Sequence, residues 1–328
     1  MQVIQDALES ADLPYGVIAT IGKYDGIHRG QQAVLRRVVE RAREEGAQSA
    51  VISFDPHPLA VLQPHAAPAK LTTAEQRREL LAELGVDALL VVRFNQELAR
   101  TEPEDFVHDF LVQRLALKEI HVGSTFAFGR GRRGNVELLR QLGEQHGFRA
   151  VATEEVRSGG EVISATRIRE AVADGRTNLA MELLGRPYAL RGVIGRGDRM
   201  GKRLGWPTIN LVPDSELLPL DGVYTGQVSF PNLPGTFDCV TNVGTRPTVY
   251  ESYQRVVESH ILGFDAEVYG ERVEVRFFKR LREEKMFPTV MDLSAQIGRD
   301  VEETREYFAA RRRSGELDAD VVGSDRTP

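Results

Sequence analysis

Val17-Ile18-Ala19-Thr20-Ile21-Gly22-Lys23-Tyr24-Asp25-Gly26-Ile27-His28-Arg29-Gly30-Gln31 runs from an apolar segment through a glycine-rich turn into the start of a helix. The apolar run 17–21 is too short for a helix and reads as a buried strand. Across 31–45, Val34, Leu35, Val38, Val39 and Ala42 fall on one helical face, which Gly46 terminates. The alternation continues downstream. Residues 50–54 read as a strand, followed by a Pro-punctuated loop, Asp55 to Pro58. Thr72 and Glu75 form a capping box for a helix carrying Leu80, Leu81 and Leu84. Residues 88–94 read as a strand, Thr101 and Glu104 cap another helix, 120–122 form a strand and 136–142 a helix. Strands separated by helices pair in parallel through right-handed crossovers, so the spacing predicts a doubly wound sheet covered on both faces. Ligands of such sheets sit beyond the carboxyl ends of the strands.

Past Pro187 the pattern changes. Segments 191–194, 222–230, 237–243, 257–262 and 272–281 are rich in Val, Phe and Tyr and separated by Gly, Pro and Asn turns. They predict a small antiparallel β-barrel, closed by a helix over 290–310 with Leu293, Ile297, Val301 and Phe308 along one side. The break at Gly185-Arg186-Pro187 sets the expected division: one domain over 1–185, a second over 186–312, and a polar tail, 313–328, expected to be disordered. A chain of 328 residues is too long for one ordinary core and suits two.

With a net charge of −6, general affinity for nucleic acid or anionic membranes is disfavoured and a small-molecule partner fits better. The single cysteine, Cys239, cannot form an internal disulfide or a thiolate metal site. Residues 1–15 lack the basic start and apolar core of a secretion signal, and no apolar run approaches the roughly 18 residues of a membrane span. These features lead to a cytoplasmic expectation.

Two constellations carry chemistry. In the first, Gly22, Gly26 and Gly30 allow a ligand close to the backbone, helix-start amides attract phosphate, and Asp25 and His28 stand beside it. Alone, such a turn is as well explained by tight strand-to-helix packing. Phe54-Asp55-Pro56-His57-Pro58 adds an acid and a histidine at the next strand end, and Ser164-Ala165-Thr166-Arg167-Ile168-Arg169 adds hydroxyls and guanidinium groups suited to a triphosphate. In the second, residues 195–210 hold four glycines and four basic residues, including Gly197, Gly201, Lys202 and Gly205. Such a loop can wrap phosphate, although alone it is as well explained as a basic surface loop before an ordinary strand. Thr208 and Asn210, two apart in an extended segment, face one way and offer two neutral oxygens to Mg²⁺.

The order of these motifs resembles bacterial bifunctional riboflavin kinase/FMN adenylyltransferases (FAD synthetases), over almost the whole chain. In the first half, residues 22–31 follow G-x-F-D-G-x-H-x-G-H and residues 164–169 follow S-S-T-x-I-R with substitutions, while F-D-P-H-P and V-G-x-x-F-x-F-G (122–129) are matched in full. The resemblance implies a Rossmann-like nucleotidyltransferase that joins FMN to the AMP part of ATP, with His28 catalytic and Gly22, Asp25, Gly26, Gly30, Ser164, Thr166 and Arg169 binding nucleotide. In the second half, G-x-x-x-G-x-x-L-G-[FW]-P-T-x-N, the turn 241–248 and V-E-x-[HY]-[IL]-L (257–262) are matched. These imply a riboflavin kinase in which Thr208 and Asn210 hold Mg²⁺, Gly197, Gly201, Lys202 and Gly205 face the nucleotide, and Glu258 is the general base. Phe264, Tyr269 and the last helix are candidate surface for the isoalloxazine ring, although each reads by default as core.

Three departures from the family pattern matter: Gln31 replaces a histidine, Ala165 a serine, and Thr125 an Asn or Asp. Charge-assisted hydrogen bonds are roughly twice as strong as neutral ones, so Gln31 is the weaker donor. At this point a kinase with a silent first module, and a flavin-binding regulatory protein, both stay open beside the bifunctional enzyme.

Overall fold

The computed structural model describes residues 1–197, 200–247 and 253–317, in two compact units that divide between Ala165 and Thr166. The first unit is a six-stranded sheet built from β1 (Gln2–Ile4), β2 (Ile18–Ile21), β3 (Ser49–Asp55), β4 (Ala88–Arg93), β5 (Glu119–Gly123) and β6 (Arg149–Thr153). Its spatial order is β1-β4-β3-β2-β5-β6, and every pairing is parallel. The expected doubly wound sheet is therefore present, with β1 and β6 as additional strands that the sequence pattern did not reveal. Ala19, Ile21, Ile52 and Leu90 enter one apolar cluster, while Val51, Leu89 and Val91 enter another on the opposite face. Period-two side chains buried on both faces explain why these strands read as continuous apolar runs.

The sheet progresses in one direction from β2 through β3 to β4, and the chain then crosses to β5 on the other side of β2. The order thus reverses at β2, whose carboxyl end carries the Gly22–Gly30 turn, the place where open α/β sheets form a crevice. Helix α1 (Arg29–Glu44) follows this turn and buries Leu35, Val38, Val39 and Ala42. A five-residue helix, α2 (Pro58–Leu62), follows β3, and α3 (Ala74–Glu83) precedes β4. The capping box of α3 is one residue later than expected: Thr73 is the N-cap and Gln76 its reciprocal partner. Thr72 is engaged elsewhere, with Asp25 and Gly26. Nor does Thr101 cap a helix, for its hydroxyl meets the Glu97 carbonyl at 3.4 Å and the following helix opens at Pro103. Helix α4 (Val136–His146) leads into β6.

The division falls just inside the start of α5 (Ala165–Ala173), so the second unit opens with nearly all of that helix and with α6 (Thr177–Leu184). Strands β7 (Tyr188–Gly195), β8 (Ile209–Pro213), β9 (Gly222–Phe230), β10 (Leu233–Pro247), β11 (Tyr253–Ile261) and β12 (Arg272–Arg282) follow. They close a barrel in the order β7-β8-β11-β10-β9-β12, antiparallel throughout. Closure removes the exposed sheet edges. The last helix, α7 (Val290–Arg313), covers the outer face of β9 and β10, where Val223, Val240, Val301 and Ile297 share one cluster. Thr225 and Thr304 share a buried hydrogen bond of 2.7 Å, and Asp300 pairs with Arg282 at 2.8 Å. The helix runs through Arg313, and Arg312 pairs with Asp238 at 2.6 Å. Most of the tail expected to be disordered, from 318 onward, lies outside the described residues.

Candidate functional site

At the end of β2 the backbone takes conformations that side chains rarely adopt. Tyr24, Gly26 and Ile27 have φ of 46°, 88° and 45°. Positive φ outside glycine is sterically costly and persists only where the surroundings impose it. Here the Asp25 carboxylate accepts the backbone N–H groups of Leu71 and Thr72 at 3.0–3.1 Å, and the Gly26 N–H reaches the Thr72 hydroxyl at 3.2 Å. Asp25 thus holds the turn against the segment before α3. The Tyr24 hydroxyl is 2.5 Å from Thr20 Oγ1, and burial pushes its pKa up, so it stays neutral.

His28 is the N-cap of α1 and is 8% exposed. Its Nδ1 accepts the Gln31 N–H at 3.3 Å, while Gln31 Oε1 accepts the His28 N–H at 3.2 Å. An accepting Nδ1 carries a lone pair, which puts the ring proton of the neutral imidazole on Nε2. The residue that replaces the family's second histidine is therefore the reciprocal half of a capping box. Gly30 leaves room for the imidazole, since a Cβ there would lie 3.2 Å from Nδ1. At the end of β3, His57 caps α2 by accepting the Leu59 N–H at 3.1 Å, and Asp55 faces Lys70 at 3.4 Å. Ser164 immediately precedes α5; on α5, Thr166 is exposed and Arg169 half-buried. Sequence reading missed Arg77 of α3. Its Nη1 donates to Ser53 Oγ at 3.4 Å, its buried Nε has no partner among the described residues, and burial lowers its pKa against the fields of Asp55 and Asp25.

In the barrel, strand register assembles the second constellation. Asn210 of β8 is directly opposite Glu258 of β11, which is opposite Asn242 of β10. Directly opposed residues share a face, so the three side chains form one row on the outside of the barrel, while Leu211, Val257 and Val243 point into the core. The glycine-rich loop folds back over this row. A Cβ on Gly197 would lie 2.3–2.5 Å from the Asn210 amide, and one on Gly201 would lie 3.2 Å from Thr208 Oγ1. The first approach needs glycine unless Asn210 moves, and glycine at 201 is also required by the Trp206 carbonyl, which a Cβ there would meet at 2.3 Å. Asp198 and Arg199, and the side chain of Lys202, lie outside the described residues.

A cleft of about 310 Å³ adjoins Thr208 and is lined also by Ile194, Ser259, Phe264 and Tyr269. Phe264 stacks on Phe230 at 5.4 Å, which makes it part of an aromatic cluster as well as a wall of the cleft. On the other flank, Trp206 donates Nε1–H to Ser294 of α7 at 3.0 Å and meets His260 edge-on. Burial holds the His260 pKa below its ordinary value although its Nδ1 lies 2.8 Å from the Pro207 carbonyl. A shallow groove along α7 runs past Trp206, Gly298, Arg299 and Glu302. Asn242 stands in the 241–248 turn already matched to the family, but its place in this row becomes visible only through strand register, and Glu284, which touches the row from the segment after the last strand, had no local sequence signal.

The neutral oxygens of Thr208 and Asn210, each backed by a glycine, are hard donors of the kind Mg²⁺ accepts beside phosphate and water. Among the described residues no cluster of three or more His, Cys, Asp or Glu could hold a metal, and no helix is long and apolar enough to cross a membrane.

A family model described as FAD synthetase matches residues 11–167, and one described as riboflavin kinase matches 184–308. Among curated relatives, the bifunctional riboflavin kinase/FMN adenylyltransferase of Escherichia coli K12 is 38% identical over 296 residues, covering 89% of this chain and 93% of its own. Proteins of that name from Pseudomonas fluorescens (38% identical; 90% and 94% covered) and Haemophilus influenzae (33%; 94% and 99%) are similarly close. A solved structure described as a macrolide-efflux protein from Streptococcus pneumoniae is 28% identical, with a TM-score of 0.84 over 92% of this chain and 98% of that one. Two family models in tandem, relatives matched nearly end to end, and a row of Asn210, Glu258 and Asn242 beneath a glycine loop together place this chain in the bifunctional riboflavin kinase/FMN adenylyltransferase family.

Proposed function

We propose that the chain makes FMN from riboflavin and ATP on its barrel, and FAD from FMN and ATP on its parallel-sheet module, taking 186–312 and 1–185 as the two functional domains. The carrying observation is the register that sets Glu258 between Asn210 and Asn242 beneath the Gly197–Gly201 loop. Phosphoryl transfer has a loose, anionic transition state, so the protein's work is alignment and charge stabilisation. Glu258 accepts the proton of the riboflavin 5′-hydroxyl as that oxygen attacks the γ-phosphorus and ADP departs. Thr208 and Asn210 would hold Mg²⁺, which supplies charge neutralisation at the phosphates. The amides of the glycine loop, including Gly205, together with Lys202, bind the phosphates. The cleft beside Thr208, whose walls include Phe264 and Tyr269, takes the nucleoside rather than the isoalloxazine ring expected of those two residues, and the flank bearing Trp206 and the start of α7 takes the flavin.

In the first module, His28 donates from Nε2 to phosphate beside the α1 amides, with Gly22, Gly26 and Gly30 admitting the chain of phosphates and Asp25 fixing their turn. Ser164, Thr166 and Arg169 supply further donors. An FMN phosphate oxygen attacks the α-phosphorus and pyrophosphate leaves. Cys239 is fully buried and its thiol is pushed up to about 12 by that burial, consistent with an inert residue in a reducing cytoplasm.

The test is a chromatographic time course with ATP and Mg²⁺, started from riboflavin and separately from FMN. FMN then FAD from the first start, and FAD from the second, is the expected result. FMN alone would leave a kinase with a silent first module, and no product from riboflavin would overturn the kinase.

A further inference from the structure

Glu284 lies in the segment joining β12 to α7, in none of the motifs discussed above. Its carboxylate covers the outer face of β10. A Cβ added to Gly244 would fall 2.3 Å from Glu284 Oε1 and 2.9 Å from Oε2, so glycine at 244 is what admits the carboxylate. Residues 242 and 244 share a face of the strand, and that face carries the row Asn210, Glu258, Asn242. Asn242 donates Nδ2–H to Glu284 Oε1 at 3.5 Å, a long bond that leaves the acceptor capacity of both oxygens largely unused. Glu284 is otherwise exposed. The site therefore has a second carboxylate diagonal to Glu258, on the flank away from the Thr208 cleft.

Two carboxylates on one flank repel a polyphosphate and attract a neutral molecule rich in hydroxyl donors. Riboflavin is such a molecule: its ribityl chain carries three hydroxyls besides the one that reacts. We propose that Glu284 is a substrate-positioning residue which accepts hydrogen bonds from the ribityl hydroxyls and so delivers the 5′-oxygen to Glu258. This rests on the kinase reading above. The product differs from the substrate by a phosphate, which Glu284 repels, so the same carboxylate discriminates riboflavin from FMN.

The experiment compares Glu284→Gln with the unaltered full-length chain in riboflavin phosphorylation, measuring kcat, KM, and inhibition by lumiflavin, which has the ring without the ribityl chain. A hydrogen bond to a charged acceptor contributes enough that its weakening raises KM for riboflavin about tenfold. Inhibition by lumiflavin stays unchanged, and inhibition by FMN becomes stronger. A purely structural role would weaken riboflavin and lumiflavin in parallel. That parallel change, or an unchanged KM, overturns the proposal. Failure of the unaltered chain to phosphorylate riboflavin would instead overturn the kinase reading itself, so the two failures are distinguishable.

Discussion

Glu258 occupies a strand whose neighbours Val257 and Ser259 are buried, yet its own side chain belongs to the outer row. Replacing it with Gln keeps the shape and removes the proposed base. Glu258→Gln is expected to lower the kcat of riboflavin phosphorylation by about 10²–10⁴, the usual contribution of a positioned base, with FAD formation from FMN unchanged. Gly197→Ala tests the roof of the same site. The new methyl meets the Asn210 amide, so Asn210 must move, and FMN formation should fall about 10²-fold while saturating at higher Mg²⁺. The Thr208 and Asn210 pair was legible in sequence because two residues in one extended segment reveal a shared face. Glu258 and the turn holding Asn242 were legible only through the family resemblance, and their meeting with Asn210 was not legible at all: it comes from register between distant strands, which no local pattern encodes.

At the scale of one element, α1 shows how a family departure acquires a second meaning. Gln31 is a weaker donor than histidine toward phosphate, but its amide oxygen also closes the cap on His28. Removing that oxygen with Gln31→Ala should cost roughly 0.5–1 kcal/mol of stability, read as a lower thermal midpoint. Gln31→His combined with Ala165→Ser restores the family donors, and FAD formation from FMN should rise by about 10–10²-fold if those donors limit the rate. Unchanged FAD formation would show that the neutral amide suffices. The helices themselves were readable from apolar spacing. Their caps were less so: Thr72 and Thr73 are adjacent and chemically equivalent, and only the tertiary pull of Asp25 on Thr72 decides which one caps α3.

Across the whole molecule, both cores are assembled over buried ionisable groups. In the first unit His121 is 1% exposed and contacts Glu119 at 2.5 Å, and Arg41 meets the same carboxylate at 3.1 Å. Burial holds the His121 pKa below its ordinary value, outweighing the attraction of Glu119. For Glu119, burial acts upward, but Arg41, His121 and Arg149 together keep its pKa low. In each case the unfolded chain binds the proton more readily. Stability is thus fully present above about pH 6.5 and declines as pH falls toward the folded pKa of His121, with a further decline below about pH 4.3 as Glu119 is protonated. Far-UV circular dichroism melts from pH 7.5 to 4 should show this, and His121→Gln should flatten the first decline. The two-unit architecture was legible because helix-spaced and strand-spaced apolar patterns divide the sequence. The edge strands β1 and β6 were not, since short strands at a sheet margin carry few buried residues: β1 buries only Ile4.

Trp206 is the single indole in the chain. It is anchored to Ser294, packed edge-on against His260 and placed just after the glycine-rich loop in the chain. All ultraviolet-excited indole emission from this protein therefore originates at one address. A yellow ligand settling on that flank would accept the excitation energy, while one confined to the parallel sheet would be a separate acceptor, distinguishable by competition with riboflavin. The molecule thus contains its own optical gauge of flavin arrival, and it needs no attached dye.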